Sequence, residues 1–142
     1  MEMNNINLGR VLLGGLLAGL VLNVGEFLLN DVVLGPQMRE FLARYGIPEP
    51  GGSFLVAAVT LTFAIGIVLV FLYTLIRPRL GPGVKTAIIA GLIMWFGIYV
   101  YTGVVNGLLF GIPINAMLIA LIWGLLEYLV AAIAGAWVYT EA

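Results

Sequence analysis

Two glutamates stand inside otherwise apolar segments of the sequence. The stretch "GLVLNVGEFLLN", residues 19–30, contains Glu26 between Asn23 and Asn30, and "WGLLEYLVAAIAGAW", residues 123–137, contains Glu127. An ionisable side chain within a hydrocarbon layer is costly, and by default it marks a functional site. A carboxyl group there can exchange a proton, bind a cation or accept a hydrogen bond from a neighbouring helix. The two glutamates are therefore the first candidates for a site.

The composition excludes most other side-chain chemistry. The sequence contains no cysteine and no histidine, so disulfides, thiolate catalysis, Cys/His zinc sites and histidine-ligated haem are excluded. Proton transfer would fall to carboxylates or tyrosines, because histidine is the usual group near neutral pH. No nucleophile–base pair or metal-ligand set is evident. We expect a protein that is not an enzyme, with no cofactor and no metal.

The overall composition is that of an integral membrane protein. Hydrophobic residues make up 63% of the 142 residues and charged residues 9%, against about a quarter charged in ordinary soluble domains. A soluble fold of this size could not hide so much apolar surface. We expect one domain, residues 1–142, with the lipid bilayer as its partner. The net charge of −1 gives no basic field for nucleic acid.

Four apolar segments are long enough to cross a bilayer, which needs about 20 helical residues. The predicted spans are about 8–30, 53–76, 85–108 and 113–139. Pro113 is placed for the first turn of the fourth helix, where its missing N–H does no harm. The expected fold is all-α, a four-helix up-down transmembrane bundle.

The connection between the first two spans predicts a short extra helix at about residues 36–46. Met38, Phe41, Leu42 and Tyr45 recur there at helical spacing. Pro36 is typical of a helix start and Gly46 of a helix end. We expect an amphipathic helix on the outer membrane surface. It would serve either as an anchor for the connection or as a lid over the outer mouth of the bundle.

The basic residues predict the orientation. Arg10, Arg77, Arg79 and Lys85 flank one face of the membrane, whereas only Arg39 and Arg44 flank the other. Positively charged loops remain on the cytoplasmic side. Both termini are therefore expected in the cytoplasm.

Each predicted span has one face of small and polar residues. On the first, Gly15, Gly19, Asn23, Glu26 and Asn30 fall within about 80° of each other at 100° per residue. Comparable faces occur on the other three spans, and that of the third is Ala87, Gly91, Trp95, Thr102 and Asn106. Such faces are expected to meet inside the bundle, because lipid cannot satisfy polar groups. An alternative is that "GGLLAG", residues 14–19, packs against another subunit.

Distances along the helices predict that the two glutamates lie at different depths. Glu127 is about 20 Å below Pro113, whereas Glu26 is about 6–12 Å below the outer end of its helix. A difference of about 10 Å favours two separate stations over a tight pair. Tyr99, Tyr101 and Tyr139 are expected in the interfacial belt or in core packing, and the tryptophans mostly in packing.

Three stretches carry a resemblance to known proteins. "GLVLNVGEFLLND", "LIRPRLGPGVKTA" and "WGLLEYLVAAIAGAW" together resemble a group of small uncharacterised bacterial membrane proteins. The resemblance implies four helices and a bacterial inner membrane, and no particular chemistry. In layout the chain is also similar to small multidrug-resistance transporters, which have four helices and a glutamate in the first. It differs in its greater length, its extra outer helix, its second buried glutamate and the residues around the first-helix acid.

Two functional hypotheses follow. In the first, the protein is a small transporter or permeation protein, and Glu26 and Glu127 are proton or cation sites. Its polar lining would consist of Asn23, Asn30, Thr102 and Asn106. In the second, it is a non-catalytic structural or accessory subunit of a membrane complex, and the glutamates only join helices. Either hypothesis implies a homo-oligomer or a membrane-protein partner.

Overall fold

The computed structural model describes residues 5–140, and this part of the chain is helical without strands. Four helical stretches in it are long and apolar enough to cross a membrane. They are Leu8–Val33, Gly52–Leu80, Val84–Phe110 and Ile114–Val138. The predicted all-α fold with four apolar helices is therefore confirmed.

The first stretch consists of α1 (Leu8–Phe27) and a π-helical segment, Leu28–Val33. The side chain of Asn7 caps α1 by accepting a hydrogen bond from the N–H of Arg10 (3.1 Å). Helix α2 (Gly35–Arg44) follows at once, with Pro36 in its first turn. The chain leaves α2 through Gly46, whose φ of +64° favours glycine. A helix thus occupies the predicted region between the first two spans.

The second stretch is a single helix, α3 (Gly52–Leu80), which runs four residues beyond its predicted end. The extension includes Pro78, which lies in the last turn. A proline there removes only one backbone hydrogen bond and does not interrupt the apolar part of the helix. Gly81, with a φ of +83°, ends the helix and donates its N–H to the carbonyl of Arg77 (2.8 Å).

The third stretch is not a uniform α-helix. It consists of α4 (Val84–Trp95), a second π-helical segment (Phe96–Val100) and α5 (Tyr101–Phe110). Gly111, in the left-handed conformation, ends it. Helix α6 (Ile114–Val138) follows, and Pro113 lies just before its first turn, at the N-cap.

Glycines bring α1 and α3 into close contact. A Cβ atom added at Gly15 would lie 2.5 Å from the Cα of Ile67, and one at Gly19 would lie 2.8 Å from the Cα of Phe63. As the residue number rises along α1 it falls along α3, so the two helices run in opposite directions. The "GGLLAG" segment packs within the chain, where small residues permit backbones to approach.

Helix α6 packs between α1 and α4. A Cβ at Gly14 would lie 2.6 Å from the carbonyl oxygen of Gly135, and one at Gly91 would lie 3.1 Å from that of Tyr128. The spans therefore follow the spatial order α3, α1, α6, α4. We call the end of the molecule that carries Arg77, Arg79 and Lys85 the basic end, and the opposite end the α2 end.

The larger part of the core lies in the half of the molecule toward the basic end, and a smaller cluster of Leu29, Leu34 and Ala116 lies toward the α2 end. Small side chains and a few branched ones fill the larger part with little exposed surface: Ala18, Leu22, Leu69, Val70, Ala87, Ala90, Ala131 and Ala132. At the basic end itself, the hydroxyl of Tyr139 accepts a hydrogen bond from the N–H of Asn7 (3.2 Å), and its ring lies 5.6 Å from the guanidinium of Arg77. These contacts join the beginning and end of the described chain to α3.

Candidate functional site

Glu26 is held by donors from two spans. Its carboxylate accepts a hydrogen bond from the hydroxyl of Tyr99, in the second π segment. It accepts another from Nδ2 of Asn30, one turn further along its own helical stretch (3.1 Å). The side chain is half-buried, so it remains partly accessible from the surface of the molecule.

Glu127 is enclosed, with 7% of its surface exposed. By distance and angle, neither of its carboxyl oxygens completes a hydrogen bond within residues 5–140, although the side chains of Glu26 and Trp123 lie close to them. A Cβ at Gly25 would lie 2.7 Å from its Cδ and Oε2, so the absent side chain at position 25 makes room for this carboxyl. The group faces Glu26, with which it interacts electrostatically. Buried polar atoms without partners are uncommon in native proteins.

The two glutamates thus form a pair, and the predicted separation in depth was wrong. The α1–α6 register pairs Gly14 with Gly135 and puts position 26 level with position 123, so Glu127 is only about 6 Å nearer the basic end. Side chains on a helix also tilt toward its N-terminus. Because α1 and α6 run in opposite directions, the two carboxyl groups tilt toward each other. This tilt brings the two carboxyl groups to a similar depth, although the two residues differ by about 6 Å along the helices.

Aromatic side chains surround the glutamate pair. The rings of Tyr99 and Tyr128 meet edge to face, with centroids 5.7 Å apart. The indole N–H of Trp123 donates to the carbonyl of Gly25 (3.0 Å). Tyr99 packs on Gly124, where an added Cβ would lie 2.5 Å from the tyrosine ring.

This role of Tyr99 was not predicted from the sequence, where the interfacial belt or core packing was expected. The available signal was a glycine near each acid, since a glycine in a buried helix marks a close neighbour. Gly25 directly precedes Glu26, and Gly124 lies three residues before Glu127.

The two asparagines of α1 and its π segment lie on the same side as Glu26. Nδ2 of Asn23 donates to the carbonyl of Gly19 (2.9 Å) and to that of Val59 in α3 (3.4 Å). Nδ2 of Asn30 donates to the backbone carbonyl of Glu26 (2.9 Å) as well as to its carboxylate. Glu26 and Asn30 are therefore joined by hydrogen bonds, whereas Asn23 joins the backbones of α1 and α3.

Thr102 and Asn106 do not join this group. Both side chains are exposed, and the expectation that they line the buried interior is wrong. Gly103 and Gly107 face α6 in their place, where an added Cβ would approach Leu121 and Met117.

The physical reason is the second π segment. A π turn contains more residues than an α turn, so residues beyond Val100 are displaced by one position from the face that Ala87, Gly91 and Trp95 begin.

Apolar side chains pack on both sides of the glutamate pair. Toward the basic end, the side chains next to Glu127 belong to the tightly packed core, with Leu22, Tyr128 and Ala131 each no more than 3% exposed. Toward the α2 end, a smaller apolar cluster of Leu29, Leu34 and Ala116 packs with Tyr99 and Trp123. Of the two acids, Glu26 is therefore the one with partial access, since it is half-buried.

Comparisons with protein-family models, with curated proteins and with solved structures give no match for this chain. The class of the protein therefore follows from its own fold. Four long apolar helices in a helical bundle define a small multi-pass integral membrane protein. The glutamate pair in its interior is the candidate site.

Proposed function

We propose that the protein is a small membrane transporter in which Glu26 and Glu127 together bind a proton or a small cation. The observation that carries this proposal is the enclosed carboxyl of Glu127, which lies beside the carboxyl of Glu26 in the interior of the bundle. Two adjacent negative charges repel strongly where the dielectric constant is low. Binding of a proton or a cation relieves this repulsion. Its release restores the repulsion and so changes the free energy of the helices packed around the pair.

Apolar packing on both sides of the pair favours a carrier over a channel. A channel needs a continuous polar path, whereas here apolar clusters lie toward both ends of the molecule. A carrier opens its site to one side at a time. In this proposal the half-buried Glu26 gives access to the pair from the α2 end. Transfer to the other side requires the contacts at the basic end, including that of Tyr139 with Asn7, to separate.

Tyr99 and Asn30 hold the Glu26 carboxylate in place in this proposal. Each donates one hydrogen bond to it, so Glu26 stays oriented while Glu127 gains or loses its positive partner. The π segments support this role, because such segments occur often at functional sites. One of them contains Tyr99 and the other contains Asn30.

The proposal includes an arrangement in the membrane. We infer an up-down bundle with both termini in the cytoplasm, supported by the opposite directions of the packed helices and by the excess of basic residues at one end. Helix α2 would lie at the outer surface, where Tyr45 donates its hydroxyl to the carbonyl of Phe110 (2.9 Å) and thereby joins α2 to the end of α5. We further propose a single non-enzymatic domain, in the bacterial inner membrane, that works as a homo-oligomer.

Flux measurements in proteoliposomes test the proposal. Purified protein is reconstituted, a pH or cation gradient is imposed, and its decay is followed with an entrapped pH-sensitive or cation-sensitive dye. We expect Glu127→Gln and Glu26→Gln each to reduce flux at least tenfold, because the amide cannot exchange a proton. Glu40→Gln is the matched control, since Glu40 is an exposed glutamate on α2.

Unchanged flux in folded Glu127→Gln protein would contradict the proposal. If wild-type protein also moved no ion and was purified only with another membrane protein, the glutamates would serve to join helices. The accessory-subunit hypothesis would then be the better one.

A further inference from the structure

A groove at the basic end lies outside the glutamate site. It has a volume of about 470 Å³ and lies between α3, α4 and α6. Its floor includes Tyr73, Ala87 and Ala134, and its rim includes the exposed side chains of Val84 and Trp137. The lining is almost entirely apolar, so it lacks the polar groups that would bind an ion or a sugar.

The groove has the size and position of a site for a lipid chain. A water molecule occupies about 30 Å³ of liquid, and a methylene group is similar in size, so there is room for roughly fifteen methylene groups. Along α6 the lining extends from Trp137 to Val130, about 10 Å at 1.5 Å per residue. It therefore runs from the end of the span into the hydrocarbon layer, parallel to a lipid tail.

Basic residues lie close in sequence to the groove lining at Gly83 and Val84. The segment "RPRLGPGVK", residues 77–85, contains three basic residues and no acid. Lys85 follows the groove residue Val84 directly, and both Lys85 and Arg79 are exposed. Within residues 5–140 neither of these two side chains forms an ion pair. Basic clusters beside gaps between spanning helices bind anionic lipid headgroups.

We propose that this groove binds one anionic phospholipid, with an acyl chain against Ala87, Ala134 and Trp137 and its phosphate near Lys85 and Arg79. The charge of the segment matches the headgroup, and the apolar lining matches the chain. Trp137, which is 82% exposed, lies at the level where indole rings favour the membrane interface. The proposal does not depend on transport by the glutamate pair.

Fluorescence quenching of Trp137 tests the site directly. The protein is reconstituted into vesicles of phosphatidylcholine that contain a small fraction of phosphatidylglycerol, and only one of the two lipids carries brominated chains. The Trp137 signal is the difference between wild-type protein and Trp137→Phe, which removes the contribution of Trp95 and Trp123. We expect brominated phosphatidylglycerol to quench this signal more than its fraction in the bilayer predicts.

Matched charge variants distinguish lipid binding in the groove from a general electrostatic attraction of anionic lipid to the protein. Each basic residue near a membrane surface contributes about a fivefold preference for anionic lipid, so Arg79→Gln with Lys85→Gln should reduce the preference on the order of 20-fold. Arg39→Gln with Arg44→Gln makes the same charge change at the α2 end and should leave it intact. Equal quenching by the two lipids, or equal loss in both double variants, would overturn the proposal.

A second pair of variants tests the apolar part. Ala134→Phe fills the groove and should abolish the excess quenching, whereas Leu126→Phe, on an exposed part of the same helix, should not. All of these substitutions except Ala134→Phe lie on exposed positions, so we expect these variants to fold as the wild-type protein does. Disulfide formation between two chains that carry Val84→Cys would instead put a second copy of the protein in the groove and reject the lipid.

Discussion

The contact between α1 and α3 gives the most quantitative prediction. In Gly15→Ala, the new Cβ would lie 2.5 Å from the Cα, 2.7 Å from Cγ1 and 3.0 Å from Cβ of Ile67. Carbon atoms pack best at about 3.5–4.0 Å, so the two helices have to separate by about 1 Å. The nearest atom belongs to the backbone, and a change of rotamer cannot relieve the contact.

The expected loss of stability follows from this geometry. Overpacking in a close-packed interior costs about 1–3 kcal/mol, and we expect the upper part of that range because backbone must move. Helix propensity does not offset it, since spanning helices persist in the unfolded state within a membrane or micelle. Gly103→Ala is the matched control, because a Cβ there would lie 3.8 Å from its nearest neighbour, Leu121. Its effect should stay within about 0.5 kcal/mol.

Unfolding in mixed micelles measures both variants. Titration with a denaturing detergent, followed by circular dichroism and tryptophan fluorescence, gives the free energy of unfolding of each protein under identical conditions. Gly15→Ala should unfold at a clearly lower detergent fraction than Gly103→Ala. If the two variants were equally stable, or if Gly15→Ala were the more stable, the close α1–α3 contact would be refuted.

Three further predictions concern the glutamate site and the second π segment. Tyr99→Phe should lower the free energy of unfolding by about 0.5–1.5 kcal/mol, since a side-chain hydrogen bond is lost, whereas Tyr101→Phe, at an exposed position, should change little in the same detergent titration. The chain has no cysteine, so introduced pairs can be crosslinked cleanly: Gly107→Cys with Met117→Cys should form a disulfide, and Asn106→Cys with Met117→Cys should not. Deletion of Gly97, which has no neighbour within 4 Å of an added Cβ, should be tolerated because the π segment becomes α-helix and the α5 face is kept, while deletion of Ile119 from α6 should abolish folding as judged by size-exclusion chromatography. Equal crosslinking of the two cysteine pairs, or equal damage by the two deletions, would contradict the displaced register.

Four members of the candidate site could be predicted from the sequence, but neither Tyr99 nor the arrangement could. Glu26 and Glu127 are evident from sequence because a charged residue in an apolar segment is rare, and Asn23 and Asn30 follow from helical spacing. The pairing of the two acids was not predicted. It depends on the α1–α6 register and on the tilt of the side chains, and neither is contained in the periodicity of one helix.

By itself, the sequence determined the class of structure: four apolar helices, the helix between the first two, and the burial of Glu127. These features follow from local quantities, namely the apolar length that spans a bilayer and the cost of exposing charge to lipid. Tertiary structure alone decided that Glu127 meets Glu26, that Tyr99 holds Glu26, and that Gly103 and Gly107 face α6 where Thr102 and Asn106 were expected. A single extra residue in a π turn changes which face of the helix every later residue occupies. Close contacts at glycines set the register of one helix against another.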